Sequence, residues 1–149
     1  MARYFEDFAI GDSFDTASAT IGADDLLAFA RTFDPQPFHL DAAAAANGPF
    51  GELVTSGWHT AAVTMRLLVE SRVLDATGIV GLGIDELRWL APVRPGDTLR
   101  ARMEVASKTP SSSGKRRGVM RVRITVRNQR DEPVLSEIAI LTVAGRPIA

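Results

Sequence analysis

A chain of 149 residues, 46% apolar and 23% charged, has the make-up of a single globular domain, and its formal charge of −1 gives no general attraction to nucleic acid or to an anionic membrane. It has no cysteine and two histidines, which excludes disulfides, thiolate metal sites and cysteine nucleophiles and argues against a histidine-rich metal centre. No apolar stretch approaches a membrane span, and the first residues, with acids already at Glu6 and Asp7, do not read as a signal peptide; a cytoplasmic location is expected.

Taken in order, the chain starts with an extended stretch expected over Ser13 to Ile21. Ala23 to Thr32 carries Leu26, Leu27, Phe29 and Ala30 at helical spacing, and Asp24 and Asp25 suit the positive end of that helix. After a proline-containing segment, Asp41 reads as the N-cap of the alanine run Ala42 to Ala46, which Asn47-Gly48-Pro49 ends. A long helix is expected from about Ser56 to Leu74. It is apolar around most of its circumference until Glu70, so it should be largely buried.

Strands dominate the second half. Leu99, Ala101, Met103 and Val105 alternate with Arg100, Arg102 and Glu104, and Val122, Ile124 and Val126 alternate with arginines. Ile79 to Leu90 and Val134 to Val143 supply two more strands. Pro95-Gly96-Asp97 and Gln129 to Pro133 are turn signals. Thr109 to Gly114 reads as an exposed loop. Strands in series joined by short turns suggest an antiparallel meander, and one buried helix against it gives an α+β layer fold.

The segment with the most chemistry is Asp34-Pro35-Gln36-Pro37-Phe38-His39-Leu40-Asp41. Each proline lacks an amide hydrogen, and each pushes the residue before it toward extended geometry, so a stiff loop is expected rather than a helix. On such a loop Asp34 and His39 can converge on one point, share a water and pass a proton. The same residues also suit a structural use, with Asp34 capping a turn and His39 half-buried and hydrogen-bonded.

Three landmarks in order carry a family resemblance. They are the Asp34 to Asp41 segment, then Val54-Thr55-Ser56-Gly57-Trp58, then Leu87 to Val93 followed by Gly96-Asp97. In these the chain resembles the MaoC-like dehydratases, which include the (R)-specific enoyl-CoA hydratases, over nearly its whole length. Two positions depart from that pattern: Gln36 stands where the family motif often has Asn, and Ser56 where many members have His before the glycine.

The resemblance implies one hotdog domain over residues 1–149, an antiparallel sheet wrapped around a long central helix. It implies a hydro-lyase acting across the C2–C3 bond of an enoyl or 3-hydroxyacyl thioester, with coenzyme A as part of the substrate and no other cofactor or metal. Asp34 would act as base on a water that His39 orients, and the Gly57 amide would hold the thioester oxyanion. At the start of a helix that amide lacks an intrahelical partner, and such a donor is worth ~3 kcal/mol. Phe38, Phe50, Ser56 and Trp58 are candidate substrate contacts. Packing also suits Phe38, Phe50, Trp58 and Trp89, and capping suits Ser56 and Asp41. His59 reads as a packing residue. Lys115-Arg116-Arg117, Arg88 and Arg94 could meet the phosphates of coenzyme A or simply lie in solvent. A homodimer joined edge to edge is implied, since a lone sheet leaves open edges. A thioesterase and a non-catalytic acyl-thioester-binding subunit are the alternative functions.

Overall fold

The computed structural model describes residues 3–74 and 79–148, so Met1, Ala2 and Ala149, the ends of the expected domain, lie outside the described residues. A short 3-10 turn at Phe5–Asp7 leads into β1 (Ser13–Thr20), followed by α1 (Ala23–Phe33), α2 (Pro37–Leu40), α3 (Ala42–Ala46) and α4 (Gly57–Glu70). Four more strands follow among the described residues: β2 (Val80–Trp89), β3 (Thr98–Pro110), β4 (Arg117–Arg127) and β5 (Pro133–Ala144). They form one five-stranded sheet in the order β1-β3-β4-β5-β2, with every neighbouring pair antiparallel. β3, β4 and β5 are the expected meander, and β1 and β2 close its two sides.

Alternation decides which face of the sheet packs. Leu99, Ala101, Met103 and Val105 of β3, with Val122, Ile124 and Val126 of β4, are buried, while Arg100, Arg102 and Glu104 point outward. On the buried side α4 contributes Val63, Leu67 and Leu68, and α1 contributes Leu26 and Ala30. This is the hotdog arrangement: a curved antiparallel sheet with a central helix laid on its inner face. The Gly96-Asp97 turn fastens the start of α1, since the Ile21 amide donates to the Asp97 carbonyl at 2.8 Å and the Gly96 amide donates to the Ile21 carbonyl at 2.7 Å.

Two expectations are corrected. The proline-rich segment is not all loop, because Pro37–Leu40 makes one helical turn. Proline is unfavourable within a helix but suits its first position, where the missing amide hydrogen has no partner to lose. The central helix stops at Glu70 rather than Leu74, and it is not buried all round. A single sheet covers one face, leaving Trp58, Met65 and Val69 at 58%, 41% and 56% exposure.

Candidate active site

Local chemistry builds the site from three short pieces of chain. α1 ends at Phe33 because Pro35 cannot continue the hydrogen-bond ladder, which leaves Asp34 as C-cap, its amide donating to the Ala30 carbonyl at 3.0 Å. The turn that starts at Pro37 then swings His39 inward to 5% exposure. The segment 54–56 is pinned by the Thr55 amide, which donates to the Val93 carbonyl at 2.8 Å, and leads into α4 with Ser56 as N-cap. Asp41 caps α3 as expected, accepting from the Ala44 amide at 2.8 Å.

Asp34 and His39 meet, with Oδ2 and Nε2 3.3 Å apart. The other ring nitrogen, Nδ1, lies 2.8 Å from the Val54 carbonyl oxygen. A carbonyl only accepts, so Nδ1 carries a hydrogen, and Nε2 is the ring atom that faces the carboxylate. The carboxylate has its own donors: the Gln36 side-chain amide reaches Oδ1 at 2.7 Å and the Ser56 hydroxyl reaches Oδ2 at 2.6 Å. Burial by itself would raise the Asp34 carboxyl, but the donors Ser56 and Gln36, with His39 beside them, outweigh it and hold the group below its ordinary value. With Nε2 unprotonated, the two atoms are acceptors side by side that can receive both hydrogens of a single water.

The pair opens into a cavity of about 460 Å³. Phe38, Phe50, Val54, Thr55, Gly57, Trp58, Thr60, Trp89 and the segment 90–93 line it. The Gly57 amide, the first of α4, has no hydrogen-bond partner among the described residues, and the positive end of the helix lies there. The cavity therefore combines an acid–imidazole pair with an amide that has no partner among the described residues, inside a mostly apolar wall.

Of the residues picked from sequence, Asp34, His39, Gly57, Phe38, Phe50 and Trp58 face this cavity. Ser56 does not: it is fully buried and touches the site through Asp34, while also accepting from the Trp58 amide at 3.3 Å. His59 faces away into a groove with Phe29, its ring stacked at 5.0 Å and its Nδ1 2.6 Å from the Thr55 hydroxyl. Arg94 is paired with Glu52, Arg88 folds back on the Leu87 carbonyl and Arg116 donates to the Arg146 carbonyl. The role of Gln36 as a donor to Asp34 was not legible in the sequence. Thr60 could have been found from its spacing, three residues after Gly57 on one helix face.

A profile described as MaoC like domain matches residues 6–128. The chain belongs to the MaoC-like dehydratase family. A MaoC-like dehydratase structure from Rhodospirillum rubrum is 47% identical, with a TM-score of 0.93 over 99% of this chain and 100% of that one. The unliganded R-hydratase PhaJ1 from Pseudomonas aeruginosa is 30% identical, with a TM-score of 0.75 over 98% of this chain and 91% of that one. A 3-hydroxybutyryl-CoA dehydratase from Methylorubrum extorquens is 34% identical over 108 residues, 72% of this chain and 66% of that protein. These likenesses place the MaoC-like chain among hydratases and dehydratases, enzymes of the hydro-lyase kind. No helix among the described residues is long and apolar enough to cross a membrane.

Proposed function

We propose that this MaoC-like protein adds or removes water across the C2–C3 bond of an enoyl or 3-hydroxyacyl thioester of coenzyme A. The observation that carries the reading is the 3.3 Å approach of His39 Nε2 to Asp34 Oδ2, with the imidazole hydrogen committed to Val54 on the far side. A water donating to both acceptors turns its oxygen lone pair toward the cavity. As that oxygen bonds to C3, the π electrons of C2=C3 move onto the thioester and its oxygen becomes enolate-like. The Gly57 amide is the donor available for that oxygen. The proton released by the water is taken up by the Asp34–His39 pair and delivered to C2, so atoms and charge balance without a metal or redox cofactor. Phe38, Phe50 and Trp58 supply apolar contact for the acyl group.

The reading includes a second copy. The open edge of β2 exposes Val80, Leu82 and Ile84 at 56%, 59% and 48%, and α4 leaves Trp58, Met65 and Val69 outward. An open edge strand with exposed apolar side chains invites pairing, and a second copy laid there would also close the cavity rim at Trp58 and Leu90.

The test is loss of the enoyl-thioester absorbance with a series of trans-2-enoyl-CoAs, read for wild type, Asp34→Asn and His39→Ala. Wild type alone is expected to consume the chromophore, with no free thiol released. Thiol release without hydration would mean a thioesterase, and ligand-induced thermal shifts with neither signal would mean a binding subunit.

A further inference from the structure

The end of β2 touches the start of α4 in a way that the water-holding pair does not require. The indole nitrogen of Trp89 donates to the Gly57 carbonyl at 2.7 Å, and the Trp89 ring stands edge-on to Trp58 with centroids 5.0 Å apart. Trp89 is itself held: its Cα pairs with Leu135 in the sheet, and the next amide, Leu90, donates to the Val134 carbonyl at 2.8 Å. The ring lies so close to Gly57 that a Cβ there would come within 2.5 Å of it.

We propose that Trp89 is a positioning residue that fixes the direction of the Gly57 amide, and thereby of the thioester oxygen; this rests on the hydro-lyase reading above. Glycine alone leaves its backbone loose, and an oxyanion donor works only when its hydrogen is already aimed at the developing charge. The peptide unit between Gly57 and Trp58 is gripped at both of its polar atoms, the carbonyl by Trp89 and the amide by the Ser56 hydroxyl at 3.3 Å. Those two contacts set ψ of Gly57. The close-packed indole face replaces the side chain that glycine lacks and limits φ. Sheet and helix are thereby locked together at the residue whose amide the reaction needs.

The experiment compares wild type, Trp89→Phe and Trp89→Ala in hydration of trans-2-butenoyl-CoA, alongside the Gly57 amide resonance of glycine-labelled protein with and without acetyl-CoA. Misplacing a catalytic group by about 1 Å costs roughly 10²-fold. Trp89→Phe, which keeps a ring but loses the donor, is therefore expected to lower kcat by ~10-fold while KM and the melting temperature stay close to wild type. Its Gly57 resonance should no longer shift as wild type does when acetyl-CoA is added. A Trp89→Phe enzyme with wild-type kcat overturns the inference, as does a loss confined to KM or to thermal stability in both variants. If the wild type hydrates no enoyl thioester, it is the hydro-lyase reading that has failed. The Trp89 inference is then judged on the resonance alone: it stands if the acetyl-CoA shift of wild type is absent in Trp89→Phe, and falls if both proteins shift alike.

Discussion

The Ser56 hydroxyl donates to Asp34 Oδ2 at 2.6 Å while its oxygen accepts from the Trp58 amide, so one fully buried side chain joins the Asp34 carboxylate to the first turn of the central helix. Replacing Ser56 by Ala removes a hydrogen bond to a charged acceptor, worth about 1.5–3 kcal/mol. The Asp34 carboxyl is held low, so the stability it contributes is present above its unfolded value near 3.8 and is lost as pH falls through the folded value. Ser56→Ala is expected to be less stable than wild type near pH 7, with the gap narrowing in acid, and to lose most of its kcat. Urea unfolding at neutral and acid pH measures the first effect and enoyl hydration the second.

Much of this was legible in the chain because it rests on short-range periodicity. The strict alternation from Leu99 to Val105 and from Val122 to Val126 assigns faces to β3 and β4, and Asp41 beside five alanines assigns a cap. Asp34 and His39 were legible as a pair because the prolines between them leave few conformations. The partners that define their chemistry were not. Ser56 reaches Asp34 across 22 residues, Trp89 reaches Gly57 across 32, and His39 finds the Val54 carbonyl across 15. Contacts at such separations follow from how sheet and helix dock, which no local pattern encodes. The turn at Pro37 escapes that pattern because a proline restrains the residue before it and lacks an amide hydrogen, yet suits the first position of a helix.

Glu137 lies on the inner face of β5, opposite Ile124, at 6% exposure, and its Oε2 has no hydrogen-bond partner among the described residues. Burial raises its carboxyl above the ordinary value. The folded chain therefore holds this proton after the unfolded chain has released it, and stability falls as pH rises from 4.5 to the folded value. Glu137→Gln is expected to remove that fall and to stabilise the protein at neutral pH by ~1 kcal/mol. Thermal melts from pH 4 to 8 test the sign: a variant that is destabilised at neutral pH would mean the carboxylate is satisfied in the assembled protein.

His59 is buried beside Phe29 and Thr55, and burial lowers its pKa from the ordinary 6.5, with Asp25 opposing and Arg66 reinforcing the shift. Here the unfolded chain takes up the proton first, so wild-type stability falls as pH drops below 6.5. His59→Gln is expected to flatten that acid slope and, by losing the stacked ring, to cost about 1 kcal/mol at alkaline pH. Because its ring faces the groove behind α4, hydration should change far less than with His39→Ala. Parallel pH-stability and steady-state measurements check both halves.

Leu82 is 59% exposed on the open edge of β2. A lysine on such an edge is the usual barrier to pairing, and the loss of a buried leucine costs about 1.5–3 kcal/mol. If a second copy covers this edge, each interface loses the contact twice, and Leu82→Lys is expected to raise the dimer dissociation constant by ~10²-fold or more. Light scattering across a dilution series should then find a dimer in wild type and a monomer in the variant, with hydration falling in step because Trp58 and Leu90 at the cavity rim lose their cover. A variant that stays dimeric would place the interface on another face of the molecule. A monomer with full activity would show that one chain suffices to enclose the substrate.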